Sequence, residues 1–493
     1  MLKRIRVSLA IFFAISATLL FLDFTGSIHL WLGFVAKIQF LPSFLALNFI
    51  IFGAIILLTF LLGRFYCSVI CPAGIFQDLV SHLVSKFKKN RFSFSKSKKW
   101  FRIGFLILFL LLIICGLNNY AYILDPYSSF GRIISNVFQP ILIALNNVCA
   151  SIAEHYESYA FYEVDVYIKS LPTFIVAIIT FAVFVVFPII GGRTYCNTVC
   201  PVGTFLGFIS KYSLFKINID KNKCVGCSIC EKNCKASCID SKTKTIDNSR
   251  CVDCMNCIDK CKKGAISFSK VHKVSTEQNK EEETDNSRRA FLTIATTLVA
   301  SSVVKAQELK VDGGLAIIED KQIPNRECSI KPAGALSLKH FSEHCTACQL
   351  CVSVCPNQVL RPSTDLATFM QPEMSFERGY CRPECTKCSE VCPTGAISKI
   401  TSEEKSSIHT GHAVWIKKNC IPLTVGDSCG NCAKHCPSGA ITMVNSNPED
   451  SNSPKIPSIN TELCIGCGAC ENLCPSRPFS AIYVEGNLVH SQF

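Results

Sequence analysis

Cysteine is the residue type in this sequence that is best suited to chemistry, and it recurs at close, regular spacing. The stretches 224–234 and 251–261 both read C-x2-C-x2-C-x3-C. In bacterial ferredoxins with this spacing, three close thiolates wrap one [4Fe-4S] cubane and the fourth ligates the neighbouring cluster. The spacing therefore predicts one cluster on Cys224, Cys227, Cys230 and Cys261, and a second on Cys251, Cys254, Cys257 and Cys234.

Four further cysteine motifs follow towards the C-terminus, and each ends in Cys-Pro. Two of them depart from the regular spacing, one by an extra residue and the other by a long first gap. The tails CPTGAI, CPSGAI and CKKGAI recur, which indicates that a structural unit repeats together with its ligands. The predicted ligands of these motifs are Cys345, Cys348, Cys351 and Cys355; Cys381, Cys385, Cys388 and Cys392; Cys420, Cys429, Cys432 and Cys436; and Cys464, Cys467, Cys470 and Cys474.

Zinc ribbons are the structural alternative for closely spaced cysteines. They use two cysteines per knuckle, however, and do not recur as sets of three plus one. The six motifs therefore favour six [4Fe-4S] clusters, and clusters in series carry single electrons.

A different cysteine pair occurs twice in the apolar N-terminal half. The stretches GRFYCSVICPAG (63–74) and GRTYCNTVCPVG (192–203) repeat Gly, Arg, Tyr, both Cys, Pro and Gly in one register. On a helix, C-x3-C spacing places both thiols on one face. Together the copies supply four thiols that bind an additional, seventh cluster, act as two redox dithiols, or stay unligated. These cysteines are Cys67, Cys71, Cys196 and Cys200.

Composition divides the 493 residues into an apolar half and a polar half that holds most of the 32 cysteines. The apolar half predicts a membrane α-helical bundle, and the polar half predicts α+β ferredoxin-like domains. A membrane span needs about 20 apolar residues, and the four predicted spans are 6–24, 41–62, 102–119 and 172–190. The predicted domains are a membrane domain at 1–205, a two-cluster domain at 206–267, a linker at 268–306 and a four-cluster domain at 307–493.

One further apolar segment, 134–148, contains Pro140 and is predicted to be an interfacial helix rather than a fifth span. No histidine lies in the core of a predicted span, so haem is not expected. The sequence also lacks a phosphate-binding loop, so no nucleotide is expected.

The net charge of +13 arises beside the apolar segments, in the basic stretches 3–6 and 86–102. Membrane proteins keep such clusters on the cytoplasmic side, so the charge is better explained by lipid than by nucleic acid. This rule predicts that the N-terminus, residues 63–101 and residues 191–285 face the cytoplasm.

The linker contains Ser287-Arg288-Arg289 before a mildly apolar run, which resembles a twin-arginine export signal. Clusters inserted in the cytoplasm fix the fold, and twin-arginine export carries folded domains. An export signal, with residues 290–306 as an anchor, would place residues 307–493 in the periplasm. An ordinary linker helix with two incidental arginines is the alternative.

Residues 1–265 resemble the NapH family of membrane ferredoxins. The resemblance rests on both C-x3-C-P motifs, on LDPYSSFGR at 124–132 and on the first two cysteine quartets. Residues 286–493 resemble the exported four-cluster NapG/MauM family through SRRAFL and KPAGALSLKHFSEHCTACQLCVSVCP. The chain is therefore predicted to be a fusion of the two. Lys235 and Lys262 stand where ferredoxins of this type usually have Pro after the fourth Cys.

The resemblance implies a multi-pass protein of the bacterial inner membrane that passes electrons from (mena)quinol or a cytoplasmic donor to a periplasmic acceptor. Arg64 and Arg193 are expected either beside a quinol site or in contact with lipid headgroups. The alternative function is an electron-donating maturation or assembly factor for a metalloenzyme. The sequence leaves the donor, the acceptor, the direction of flow and the pairing of the last four motifs open.

Overall fold

The computed structural model describes residues 2–87, 92–158, 161–270 and 319–492. We refer to residues 2–205 as the helical domain, to 206–270 as the middle domain and to 319–492 as the C-terminal domain. Most of the predicted linker, including the twin-arginine-like sequence and the proposed anchor at 290–306, lies outside the described residues.

The helical domain is built from long helices joined by short helical turns. Its longer helices are Leu2–Leu22, Phe49–Leu62, Pro72–Phe87, Lys99–Ile114, Pro126–Ile133, Gln139–His155, Leu171–Gly191 and Pro201–Ser210. Its short helices are His29–Leu32, Phe34–Lys37, Phe40–Leu45, Phe65–Val69, Asn118–Ala121 and Thr194–Thr198.

Three helices in the described residues are long and apolar enough to cross a membrane: Leu2–Leu22, Pro126–His155 and Leu171–Gly191. The first and last coincide with predicted spans, whereas the four-span prediction is not confirmed. The predicted span 41–62 is interrupted because Leu47 adopts a φ of 52°. The Asn48 side chain then accepts the Ile51 backbone N–H at 3.2 Å and starts a new 14-residue helix. The predicted span 102–119 ends at Ile114, shortly before Gly116 with a φ of 75°.

The segment 134–148 differs from its prediction, because it lies inside a continuous 30-residue helix. The π-helical turn Ile134–Phe138 precedes Pro140, which stands in the first turn of Gln139–His155. A π turn shifts the hydrogen-bond register, so the missing N–H of proline is accommodated without a break. At the start of this helix, Asp125 Oδ2 accepts the backbone N–H and the hydroxyl of Ser128, both at 2.7 Å.

The other two domains are built from short two-stranded antiparallel sheets around cysteine-bearing turns. In the middle domain Phe215–Ile219 pairs with Ile266–Lys270, and Ile239–Asp240 pairs with Thr245–Ile246. In the C-terminal domain the pairs are Leu360–Pro362 with Pro372–Met374, Ile408–Trp415 with Ile482–Gln492, and Ile441–Asn445 with Lys455–Ile459. The helices of these two domains are Ile229–Lys232, Asn256–Lys260, Leu338–His344, Leu350–Ser353, Lys387–Val391, Ser402–Ser407, Lys417–Asn419 (3-10), Ile421–Thr424, Asn431–Lys434 and Ala469–Asn472.

The middle and C-terminal domains contact opposite ends of the helix Leu2–Leu22. At its start, Lys3 Nζ lies 2.7 Å from Asp259 Oδ2 of the middle domain. Just beyond its end, Thr25 O accepts Lys387 Nζ of the C-terminal domain at 2.7 Å. At 1.5 Å per residue such a helix is about 30 Å long, the thickness of a membrane hydrocarbon core. The helical domain therefore separates the two cysteine-rich domains.

Candidate iron–sulfur centres

The structure groups the cysteines of the middle domain into two sets of four. One cavity is lined by the four thiols that we call set A: Cys224, Cys227, Cys230 and Cys261. Burial raises the pKa of Cys257, and the thiols of Cys254, Cys251 and Cys234 raise it further. These four residues form set B. Each set takes three thiols from one motif and the fourth from the other, which is the grouping that the spacing predicts.

The C-terminal domain repeats this exchange twice, which answers the pairing that the sequence leaves open. Set C consists of Cys345, Cys348, Cys351 and Cys392, and set D of Cys355, Cys381, Cys385 and Cys388. Set F consists of Cys436, Cys464, Cys467 and Cys470 around one cavity. In set E, burial and the neighbouring thiols of Cys429, Cys474 and Cys420 together raise the pKa of Cys432 to about 11.

The sets follow one another in space. In the helical domain, Asn136 Nδ2 donates to Gln349 Oε1 at 2.6 Å, which holds set C against the helices. Cys351 of set C interacts electrostatically with Cys388 of set D. The backbone N–H of Cys381 in set D donates to Cys467 O of set F at 2.9 Å. Set C therefore adjoins set D, set D adjoins set F, and set F exchanges its fourth cysteine with set E.

The thiols of Cys67, Cys71, Cys196 and Cys200 are all buried, and Cys200 interacts electrostatically with the other three. We call these residues the helical-domain thiols. Their local geometry differs from the prediction, because the helix breaks between the cysteines of each pair. Cys67 lies in Phe65–Val69, whereas Cys71 precedes the helix that starts at Pro72. The cysteines of a pair thus converge across a break, and not along one helix face.

Arg64 and Arg193 cross between the two copies of the repeat. Arg64 Nη2 lies 3.8 Å from Cys67 Sγ and 3.2 Å from Cys196 O. Arg193 Nη1 lies 3.7 Å from Cys196 Sγ and 2.8 Å from Cys67 O. Each arginine therefore binds the first sulfur of its own copy and the first cysteine carbonyl of the other. Their relative exposures are 0% and 1%, so the expectation that they contact lipid headgroups is wrong.

Asp78 joins the helical domain to the middle domain. Its carboxylate lies 2.7 Å from Arg193 Nε, 2.8 Å from Lys235 Nζ and 3.5 Å from Arg6 Nη1. Lys235 O in turn accepts the Arg193 backbone N–H at 2.7 Å. Proline at position 235 would remove this ion pair, which explains the departure from the usual Cys-Pro. The exposed Lys262 has no such role in the structure.

Replacement of Asp78 by Asn is expected to destabilise the protein by roughly 3–5 kcal/mol, because loss of one partner leaves buried cations unpaired. Thermal and denaturant unfolding of the purified full chain in detergent measures this change. Asp427→Asn, at an exposed site, is the matched control. Equal stability of the two variants would show that the network does not hold the domains together.

Sequence reasoning missed Asp78 and gave Cys238 no role. Asp78 carries a signal that was available, since it is the single acidic residue between Asp23 and Asp125. Cys238 is buried with its Sγ 3.6 Å from Cys234 Sγ of set B. Its position beside set B follows from the turn that precedes Ile239–Asp240, which the spacing does not reveal.

Within the described ranges, no group of three or more His, Cys, Asp or Glu side chains is tight enough for a single metal ion. The donor sets fit a cubane, which gives each of its four irons a separate thiolate. In sets A to F every donor is a cysteine, and thiolates are the ligands that iron–sulfur clusters use.

Family models match segments of both the apolar half and the polar half of the chain. The model described as a 4Fe-4S binding domain matches residues 44–91 and 173–222, which contain the two C-x3-C-P motifs. The model described as a 4Fe-4S dicluster domain matches residues 342–415 and 427–477. The chain is therefore an iron–sulfur protein that contains 4Fe-4S ferredoxin-type domains.

The relatives of the chain include several ferredoxin-type proteins. The chain is 28% identical to the ferredoxin-type protein NapF of Escherichia coli over 32% of this chain and 87% of that protein. It is 28% identical to the methylamine utilization ferredoxin-type protein MauM of Methylophilus methylotrophus, over 33% of this chain and 72% of that one. It is 29% identical to the ferredoxin-type protein NapG of Escherichia coli, over 29% of this chain and 65% of that protein.

These relatives confirm the resemblance to the NapG and MauM proteins. Each covers about a third of this chain or less, so the joining of two modules in one chain stays a prediction. No solved structure matches the chain.

Proposed function

We propose that this chain is a membrane-bound polyferredoxin that carries electrons across a bacterial inner membrane. Sets A to F each hold one [4Fe-4S] cluster. The electrons come from (mena)quinol or a cytoplasmic donor and reach a periplasmic acceptor. A quinol supplies two electrons and releases two protons, and the clusters pass the electrons on one at a time.

The observation that carries this proposal is the placement of sets B and C on opposite sides of the helical domain. On one side, Arg64 Nη1 lies 3.5 Å from the carbonyl of Arg250, which directly precedes Cys251 of set B. On the other side, a Cβ added to Gly131 would lie 2.6 Å from Cys348 O of set C. The helical domain thus contacts backbone next to a ligand in both sets.

The predicted orientation follows from the basic residues. Lys3, Arg4 and the basic residues within 92–102 belong to the end of the helical domain that binds the middle domain. Since basic clusters stay in the cytoplasm, sets A and B lie on the cytoplasmic side and sets C to F on the periplasmic side.

Vesicles test this function. We expect the anaerobically purified chain, inserted in phospholipid vesicles, to reduce an impermeant dye trapped inside when an impermeant reductant is added outside. Protein-free vesicles supply the background rate. Dye reduction at background rate, with all clusters present, would contradict transfer across the membrane.

A quinol analogue separates the two donors and the alternative function. Rapid reduction of the clusters by the analogue supports a quinol donor. Clusters that only a low-potential reductant reduces support a cytoplasmic donor. If the quinol analogue reduces the clusters far more slowly than electrons reach the trapped dye, the alternative role as a maturation factor is favoured instead.

Lys405 gives a prediction for a single cluster. Its Nζ lies 3.2 Å from Cys381 Sγ and donates to Arg382 O and Cys385 O at 2.6 and 2.5 Å. Hydrogen bonds and positive charge at ligand sulfurs raise the reduction potential of a cluster. Lys405→Met is therefore expected to lower the midpoint potential of the set D cluster alone.

Redox titration followed by EPR measures that shift. Lys417→Met is the matched control, since Lys417 contacts the Trp415 ring and not a ligand sulfur. A shift of equal size in both variants would contradict the role of the Lys405 hydrogen bond.

A further inference from the structure

We propose that the helical-domain thiols bind an additional iron–sulfur cluster, and that Arg64 and Arg193 compensate its negative charge. This inference rests on the proposed function for its role, which is to relay electrons between sets B and C. The cofactor class is a cluster with four cysteine thiolates. The other two interpretations of these thiols, redox dithiols and unligated cysteines, conflict with the charge at the site.

The first argument is the donor set. Cys67, Cys71, Cys196 and Cys200 are 3–5% exposed and come in equal number from the two copies of the repeat. Cys200 Sγ accepts the backbone N–H of Gly203 at 3.2 Å, and Cys71 accepts that of Gly74 in the same way. Backbone N–H groups at a helix start stabilise a thiolate. The site therefore offers backbone hydrogen-bond donors to the sulfurs that we propose as cluster ligands.

The second argument is the charge around the thiols. Within the described residues, Arg64 forms no ion pair with a carboxylate. Its guanidinium instead donates to Asn197 Oδ1 at 2.6 Å, to backbone carbonyls and towards Cys67 Sγ. The nearby Asp253 accepts the backbone N–H of Arg64 and attracts its charge electrostatically, but forms no salt bridge with the guanidinium. A buried guanidinium without a salt-bridge partner is costly, and the sulfurs of a bound cluster would supply the direct anionic partner that it lacks.

The same excess of positive charge appears on the other copy. Asp78 is shared by Arg193, Lys235 and Arg6. One carboxylate thus faces three buried cations, and Arg64 adds a fourth that forms no salt bridge among the described residues. A disulfide is neutral and a protonated thiol is neutral, so neither balances these cations. Four thiolates around a cluster leave a net negative charge, and this charge balances the cations.

The third argument is the close fit of the two glycines that follow the cysteines. A Cβ on Gly74 would lie 2.5 Å from Arg193 Nη1, and one on Gly203 would lie 2.8 Å from Arg64 Nη2. Any larger residue at either position would displace an arginine from the sulfurs. The repeat therefore preserves the space that the arginines occupy, in both copies.

The site also lies between the two domains. Towards set B, Asn197 Nδ2 donates to Ala236 O at 3.3 Å. Towards set C, Tyr195 OH donates to Leu124 O at 3.0 Å, and the nearby Tyr127 interacts electrostatically with Cys348 and Cys392. One electron entering from set B leaves towards set C, so the step needs no proton and no further reactant.

Iron content tests the proposal in the full chain. Six cubanes bring about 24 irons per chain, and a seventh brings about 28. Cys67→Ser/Cys196→Ser is expected to lose about four irons and a matching amount of acid-labile sulfide. Cys115→Ser/Cys149→Ser, at exposed thiols of the same domain, is expected to lose none. Unchanged iron in the first variant would overturn the proposal even if the six other clusters and dye reduction persist.

The arginines provide a test that keeps every ligand. Arg64→Gln is expected to lower the midpoint potential of one EPR signal and to leave the six others unchanged. Arg64→Lys retains the charge and is expected to restore most of the potential. A loss of stability without any shift in potential would mean that Arg64 is structural, and would contradict its role in charge compensation. Arg193→Gln is less suited, because it also breaks the ion pair with Asp78.

Discussion

Vesicles that contain Cys67→Ser/Cys196→Ser are expected to reduce the trapped dye no faster than protein-free vesicles. The variant removes one ligand from each copy of the repeat and with it the relay that we propose between sets B and C. Among the described residues, no other group of thiols lies inside the helical domain on this path. Electrons that enter the middle domain would therefore remain there.

Two controls distinguish the loss of dye reduction from a general failure of the variant to fold. The clusters of sets A to F are expected to remain, because all of their ligands lie in the middle and C-terminal domains and none lies in the helical domain. EPR of the variant should show the signals of all six clusters after chemical reduction from both sides of the vesicle membrane. Cys115→Ser/Cys149→Ser should transfer electrons at the wild-type rate. Transfer at that rate by Cys67→Ser/Cys196→Ser would mean that the path bypasses these thiols.

Two double variants of the C-terminal domain are expected to differ twofold in iron loss. Cys355→Ser/Cys388→Ser changes two motifs but a single set, set D, and should lose about four irons. Cys351→Ser/Cys355→Ser changes a single motif but two sets, C and D, and should lose about eight. The difference follows from the exchange of the fourth cysteine between neighbouring motifs.

Metal analysis of the two variants, prepared in parallel without oxygen, measures the ratio. Each single variant should lose about four irons, so Cys355→Ser and Cys388→Ser should be non-additive. The reverse order, with the greater loss from Cys355→Ser/Cys388→Ser, would show that each motif holds its own cluster. Circular dichroism of both variants checks that the remaining domains stay folded.

Together these variants test two features on which the proposed electron transfer depends, the helical-domain thiols and the exchange of cysteines between neighbouring motifs. The first asks whether the helical domain participates in transfer or only anchors the protein. The second asks whether neighbouring motifs share ligands, which brings successive clusters close together. Lys405 and Arg64 then show how the surrounding protein sets the potential of individual centres.

The spacing of the cysteines along the chain was enough to predict the chemistry of the cysteine-rich domains. Ligands such as Cys224, Cys227 and Cys230 lie within one turn of chain, so their spacing fixes how many thiols can reach one cluster. The exchange of Cys234 and Cys261 also follows from this spacing. The 63–74 and 192–203 stretches revealed a paired site, because a repeat in one register indicates equivalent positions in the fold.

The surroundings of those thiols, in contrast, could be seen only in the folded molecule. The burial of Arg64, the sharing of Asp78 by three cations and the order of sets C, D, F and E depend on contacts between residues far apart in the chain. Hydropathy also predicted the wrong helix bounds in two places. The apolar run 41–62 is continuous in sequence, but the helix is interrupted at Leu47. The run 134–148 contains Pro140, but a π-helical turn allows the helix to continue through it. Spacing encodes local ligand geometry, while charge balance and helix continuity depend on packing across the whole molecule.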